Sequence, residues 1–254
     1  MTGAITEYID VAQVTLYAFW IFFAGLVIYL HRENKREGYP LESERSKYVR
    51  VEGFPATPEF KYFLHRDGTS YRVPREDLPR EIAAEPSALF PGAPIEPTGN
   101  PMLDGVGPAA WAQRRDDPET ALDGGPRLTP MRTNPEFDVY GNDPDPRGLP
   151  VVAADDRVAG KIVDIWVDRS EALLRYLEVE VPAAGGTRRV LLPANFAVMG
   201  RERVRVRSIR ADQFAEVPGT KHPDRVTLLE EDKIMGYYGG GTLYAFRSRE
   251  EPLL

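Results

Sequence analysis

The stretch VAQVTLYAFWIFFAGLVIYL, residues 11–30, carries no charged side chain. At a rise of about 1.5 Å per residue a helix of this length spans about 30 Å, the thickness of a bilayer's hydrocarbon core. It therefore reads as one transmembrane helix, and the rest of the chain is arranged around it. Gln13 and Thr15 are its clearly polar side chains, both near the N-terminal end, and Trp20 lies mid-span. With no Asp, Glu, Arg or His inside, the helix reads as a tether and packing surface, not an ion or proton path. It offers no central histidine to a chlorin or haem.

The flanks set its direction. Glu7 and Asp10 precede the run and no basic residue does; HRENKREGYP, residues 31–40, follows it with Arg32, Lys35 and Arg36. Basic residues collect at the cytoplasmic end of a membrane helix. Residues 1–10 are thus expected in the periplasm and residues 31–254 in the cytoplasm. The acidic start and the missing small-residue cleavage site read as a retained anchor, not a signal peptide. Arg32, Lys35 and Arg36 are also candidate contacts for anionic lipid.

Composition removes several function classes. The chain has no cysteine, which excludes disulfides, thiolate metal sites, thiol nucleophiles and covalent CxxCH haem. Its net charge of −7 argues against a nucleic-acid binder and suits a surface that handles cations or protons.

Beyond the juxtamembrane stretch, YFLHRDGTSYRV at 62–73 reads as a hairpin around Asp67-Gly68. Residues 74–150 are dense in Pro and Gly but hold Leu89, Phe90, Met102, Trp111 and Phe137. A free linker rarely spends aromatics this way, so an ordered, extended segment laid over another surface is expected. From about Leu149 the texture becomes short β-prone runs between turn residues, some alternating, as in Val204-Arg205-Val206-Arg207. Antiparallel pairing into a small, strongly bent sheet or barrel is expected. The tail begins as a helix at Leu228 and Leu229, and Gly239-Gly240-Gly241 reads as its end. The GYYGGG run lacks the Lys-Ser/Thr of a phosphate loop.

The expected fold class is a single N-terminal transmembrane α-helix, a mainly-β domain with a small barrel at 149–254, an extended Pro/Gly-rich segment within 31–148, and a short C-terminal helix. Several pieces, in order, resemble the H subunit of the purple-bacterial photosynthetic reaction centre. They are REGYPL (36–41), PTGNPMLDGVGPAAWAQRRD (97–116), DPRGLPVVAAD (145–155), AGKIVDIWVDRSEALLRYLEVE (159–180) and VTLLEEDKIMGYYGGGTLYA (226–245). The strand-rich part resembles the PRC-barrel.

The resemblance implies a non-catalytic subunit with no cofactor of its own. It implies a place in the chromatophore membrane, where the chain packs against the L and M subunits and caps their cytoplasmic face. Bacteriochlorophyll, bacteriopheophytin, quinones and non-haem iron are then expected in partner subunits, with core antenna polypeptides around the complex. The cap shields the quinone sites and supports proton uptake to the secondary quinone. The family's acidic residues facing that quinone fall on Asp168 and Glu171, with Arg175 as their tuning partner. Some relatives carry a surface histidine pair where this chain has LDGGPRLTPM, residues 122–131; here Asp123 and Glu119 are the candidates for proton entry. His31, His65 and His222 lie outside that motif. A membrane-tethered PRC-barrel adaptor for a soluble partner is the competing reading, but an adaptor has no need of the long Pro-rich wrap. A hydrolase built on Asp168 and Glu171 lacks a nucleophile elbow, a metal cluster or a catalytic histidine.

Overall fold

The computed structural model describes residues 10–43, 46–66, 68–74, 81–90 and 93–250. Except for Asp10, the segment expected in the periplasm lies outside these residues, as do Asp67 of the turn pair and residues 75–80 and 91–92 of the Pro-rich stretch. The described chain forms two compact units. Residues 10–74 with Leu89 and Phe90 make the first; residues 81–88 with 93–250 make the second.

The first unit opens with helix α1, Val11–Asn34. It outlasts the apolar run by four residues, and at its start the Asp10 carboxylate accepts the Gln13 N–H at 2.7 Å. This acid is a helix cap, which ties down one of the amides the first turn leaves unpaired. The polar side chains of the apolar run also find partners within the helix. Gln13 Nε2 donates to the Tyr17 hydroxyl at 2.9 Å, and Thr15 Oγ1 donates to the Val11 carbonyl at 2.8 Å. That is what an apolar medium demands of them. No α1 side chain is buried within the unit, and α1 is long and apolar enough to cross a membrane. Strands β1 (Leu41–Ser43) and β2 (Ser46–Val51) pair antiparallel, as do β3 (Lys61–Leu64) and β4 (Ser70–Val73). The β3–β4 pair is the expected hairpin, and Gly68 supplies its positive φ of 84°.

The second unit begins with the ladder of β5 (Ala84–Pro86) and β6 (Ile95–Pro97), then one helical turn, α2 (Pro101–Asp104). After β7 (Leu128–Pro130) and β8 (Pro150–Val152) come the long strands β9 (Val158–Asp168), β10 (Leu173–Ala183) and β11 (Gly186–Pro193). Short β12 (Ala197–Met199) and β13 (Val204–Val206) follow, and helix α3 (Leu228–Tyr244) closes the unit. The sheet is a curled half-barrel with strand order β11-β10-β9-β8-β13-β12, and β7 adds to β9. All its pairs are antiparallel except one: β13 runs parallel to β8, with Val204 opposite Val151. The purely antiparallel expectation therefore fails there, because sequence alternation sets which face a strand buries and not which neighbour it takes.

The Pro/Gly-rich segment is partly absorbed into this unit. Met102, Val106, Ala109 and Leu128 are buried, and Met131, Phe137 and Val139 are half-buried against the core. Lys233 Nζ stands 4.7 Å from the Trp111 ring centroid. Leu89 and Phe90 stay exposed. The core itself centres on Trp166, Phe214, Tyr237 and Tyr238 with Ile162, Ile165 and Leu177.

The expected helix end at Gly239-Gly240-Gly241 is corrected: α3 runs on to Tyr244. These glycines, with Gly236 on the same helix, serve close packing. A Cβ on Gly236 would lie 2.6 Å from the Ala109 carbonyl oxygen, and one on Gly241 would lie 2.3 Å from Ile209 Cγ2. An interior helix glycine costs about 1 kcal/mol relative to alanine. The close seat of α3 on the 107–110 turn and on residues 208–209 offsets that cost.

Candidate functional site

The β9–β10 hairpin turns at Arg169–Ala172, and Asp168 builds the turn. Its carboxylate accepts the backbone N–H groups of Ser170 at 2.9 Å and Glu171 at 3.1 Å. This is ordinary Asx-turn chemistry and explains why an Asp stands at the end of β9. Ala172 completes the turn with a φ of 52°.

A second segment then fixes the same carboxylate. Arg127, just before β7, donates from Nε to both Asp168 oxygens, at 3.0 and 2.8 Å. Its Nη1 reaches Glu119 Oε1 at 3.1 Å and its Nη2 reaches Glu171 Oε1 at 2.6 Å. One guanidinium thus gathers three carboxylates from two segments, and two negative charges are left without a match in it. Asp168 is buried, while the side chains of Glu119 and Glu171 are 45% and 51% exposed. Burial pushes the Asp168 carboxyl up, but the Arg127 guanidinium and the two turn amides outweigh it, and the group sits below the usual carboxylate value. The hydrogen bond to Asp168 in turn holds the Arg127 pKa above its ordinary value.

Asp123 joins this edge through another arginine. Arg169 Nη2 pairs with Asp123, and Arg169 Nη1 donates to the Pro126 carbonyl at 3.1 Å. The Arg169 pairing holds the Asp123 carboxyl low. Of the sequence candidates, Asp168, Glu171, Glu119 and Asp123 therefore meet at one end of the hairpin.

Arg175 does not join them; the partner it was expected to be is Arg127. Arg175 sits at an irregularity in the β9–β10 register and lines a separate groove of about 480 Å³. Glu231 and Tyr176 line it too, and the Tyr176 hydroxyl donates to Glu231 Oε2 at 2.9 Å. Burial raises the Glu231 carboxyl above its ordinary value despite that bond. Sequence reasoning missed Glu231, although three consecutive acids at the start of a helix, Glu230-Glu231-Asp232, were a signal for it.

It also missed an ion cluster built on two buried carboxylates. Arg132 Nη1 meets Asp164 Oδ2 at 2.8 Å and also pairs with Glu178, and its Nη2 meets Asp224 Oδ1 at 2.9 Å. Trp166 Nε1 donates to Glu178 Oε2 at 3.0 Å. Four chain segments are tied together through Arg132.

The three basic residues behind α1 divide. Lys35 is buried and donates to the carbonyls of Glu52 and, at 2.6 Å, Pro55. Arg36 pairs with Glu33 at 2.9 Å and donates to the Glu59 carbonyl. Of the three, Arg32 alone stays exposed. Among the described residues, no group of three or more His, Asp or Glu side chains is placed to hold a metal ion.

The family model for the photosynthetic reaction centre H-chain N-terminal region matches residues 3–133. The model for the PRC-barrel domain matches residues 141–213, which span β8 to β13. Together they cover the helix α1, the Pro-rich wrap and the sheet. The chain belongs to the H-chain family of the photosynthetic reaction centre and carries a PRC-barrel domain behind its N-terminal region.

Proposed function

We propose that this chain caps the cytoplasmic face of the L and M subunits and feeds protons toward the secondary quinone. Its α1 docks in the chromatophore membrane with the N-terminus in the periplasm; the exposed Arg32 and the basic side chains behind it support that direction. Pigments, quinones and iron belong to the partner subunits, and antenna polypeptides surround the assembly. The chain is a structural component and carries out no turnover of its own.

One observation carries the proton role: Arg127 holds Asp168, Glu171 and Glu119 together at the β9–β10 turn. Reduction of a quinone to quinol consumes two electrons and two protons, and the protons must cross the polar cap. Asp168, held low by its ion pair, is a fixed negative charge that keeps the local potential favourable to protons. Glu171 is half-exposed on the same guanidinium, beside the fixed charge, and is given the carrier's role. Glu119 and Asp123 extend the negative rim outward, as entry points.

The test is Glu171→Gln in the assembled complex, with flash-induced absorbance read across pH. The proton-coupled second electron transfer to the secondary quinone is expected to slow while the first charge separation is spared. Unchanged second-electron kinetics at every pH would remove Glu171 from the relay. Purification of the chain as a colourless single species from native membranes would overturn the capping role.

A further inference from the structure

The chain is net acidic, yet one hairpin is strongly basic. Strands β12 and β13 and the turn between them read AVMGRERVRV, residues 197–206, and Arg207 follows. On β13, Val204 and Val206 are buried and Arg205 between them faces outward, half-buried; Arg203 and Arg207 are exposed. Alternate strand residues share a face about 7 Å apart, so the three arginines form a row. Arg201 adds a fourth positive charge in the turn, against the one carboxylate of Glu202. Among the described residues, none of the four is within ion-pair distance of a carboxylate, whereas their neighbour Arg210 pairs with Asp212 at 3.0 Å. The register places Val198 opposite Arg205 and Met199 opposite Val204. Val198 is 57% exposed and Met199 is 43% exposed. β12 is moreover an edge strand of the sheet.

We propose that this hairpin binds the headgroups of anionic lipid, with Arg201, Arg203, Arg205 and Arg207 on phosphates and Val198 at the acyl boundary. Unpaired cations beside exposed apolar side chains match an interface that is anionic outside and apolar beneath. α1 tethers the same chain to a bilayer, which raises the effective concentration of that polyanion over any soluble one. The basic residues behind α1 do not serve this purpose fully, because Lys35 and Arg36 are taken up within their own unit.

The chain has no cysteine, so Val198→Cys gives one thiol for a fluorophore. The full chain is reconstituted into bilayers containing spin-labelled lipid, either pure phosphatidylcholine or phosphatidylcholine with phosphatidylglycerol. Quenching at position 198 is expected to be at least about twofold greater in the anionic bilayer and to fall as salt rises. A fluorophore at Thr187→Cys, on the opposite edge strand, is expected to show no such difference. Arg203→Gln/Arg205→Gln/Arg207→Gln should abolish the effect, and the Lys versions should keep it. Equal quenching in both bilayers overturns the proposal. So does protection of the label by protein in the lipid-depleted complex, which would assign the row to an acidic partner. If the Gln variant fails to fold, the comparison of lipids and salt on the native arginines still decides.

Discussion

Arg127 Nε donates to both carboxylate oxygens of Asp168, at 3.0 and 2.8 Å, across 41 residues of chain. This bond fastens β7 and the loop before it to the turn at the end of β9. Its stability contribution depends on pH in a defined direction. The Asp168 carboxyl lies below its ordinary value of about 3.9 in the folded chain, so its contribution is present above that value and is lost as pH falls through the folded value. Asp168→Asn should lower the melting temperature by several degrees at pH 7, and the gap from the parent should close in acid once the folded-state carboxyl is protonated. Thermal melts at pH 7 and in acid check this; a gap that persists in acid would assign the loss to turn geometry instead of charge.

Glu231 carries the opposite sign. Burial holds its carboxyl above the ordinary value of about 4.3, so the folded state binds the proton more tightly than the unfolded chain does. Stability is then lost as pH rises from the unfolded value through the folded one. Glu231→Gln should raise the melting temperature at pH 8, and the gain should vanish near pH 4. Tyr176→Phe removes the hydroxyl that donates to the carboxylate, and should destabilise at pH 8 more than at pH 4. Melts of both variants at both pH values check this, and a gain for Glu231→Gln that does not depend on pH would refute it.

The two acidic sites differ in how legible they were. The turn DRSE places Asp168 and Glu171 together by local chemistry, but that chemistry also suits an ordinary exposed turn, and it is the family resemblance that points to both. Arg127 was not legible, because nothing local links a residue before β7 to a turn 41 positions on. Arg175 is the nearer cation in sequence, but it stands at an irregularity in β10 and lines another groove. α1 was legible because length and apolarity suffice; its partners at Lys35 were not, since a basic residue counts toward topology whether or not it is buried. The α3 glycines misled for a related reason. Propensity reads Gly-Gly-Gly as a stop, and only the tertiary contact with Ala109 and Ile209 reverses it. The start of α3 was better marked, since Thr227 and Glu230 form a capping box.

That contact gives a test of packing. Gly241→Ala gains about 1 kcal/mol of helix propensity but sets a methyl 2.3 Å from Ile209 Cγ2 and 2.7 Å from the Ser208 carbonyl oxygen. Overpacking of this kind costs about 1–3 kcal/mol, so the variant should be less stable. Gly141→Ala, where nothing lies within 4 Å of the new methyl, should be neutral. Urea midpoints of the two variants separate the cases, and a stabilised Gly241→Ala would refute the close seat of α3.

The Arg132 cluster should be costly to open. Asp164 and Glu178 are both buried, and Arg132 is the cation bonded to both. Arg132→Gln leaves two carboxylates in a low-dielectric site with less compensation, a loss of about 3 kcal/mol. Trp166, bonded to Glu178, reports locally. Its emission, read in a Trp20→Phe/Trp111→Phe background, should shift to the red before global unfolding. A variant as stable as the parent, with unshifted emission, would show that Arg189, which reaches Glu178 at 3.3 Å, suffices alone.

Removing Arg127 separates a fixed charge from a working acid in the proposed relay. In the parent, burial pushes Asp168 up, and the guanidinium together with the Ser170 and Glu171 amides more than offsets it. Arg127→Gln keeps the burial and the two turn amides but deletes the cation, so the Asp168 carboxyl should move up and take up protons more readily. Glu171 simultaneously loses its 2.6 Å partner, and Glu119 loses its 3.1 Å partner. In the assembled complex the second electron transfer to the quinone should therefore hold its rate to a higher pH than in the parent, because the site has lost a positive charge and Asp168 takes up protons as well. Glu171→Gln should behave differently and slow the step at all pH values where Glu171 is needed. The two variants together decide between roles: a shifted pH profile for Arg127→Gln with a uniform slowing for Glu171→Gln supports Asp168 as the static charge and Glu171 as the carrier. Identical profiles in both variants would collapse that division and leave the cluster as one titrating unit.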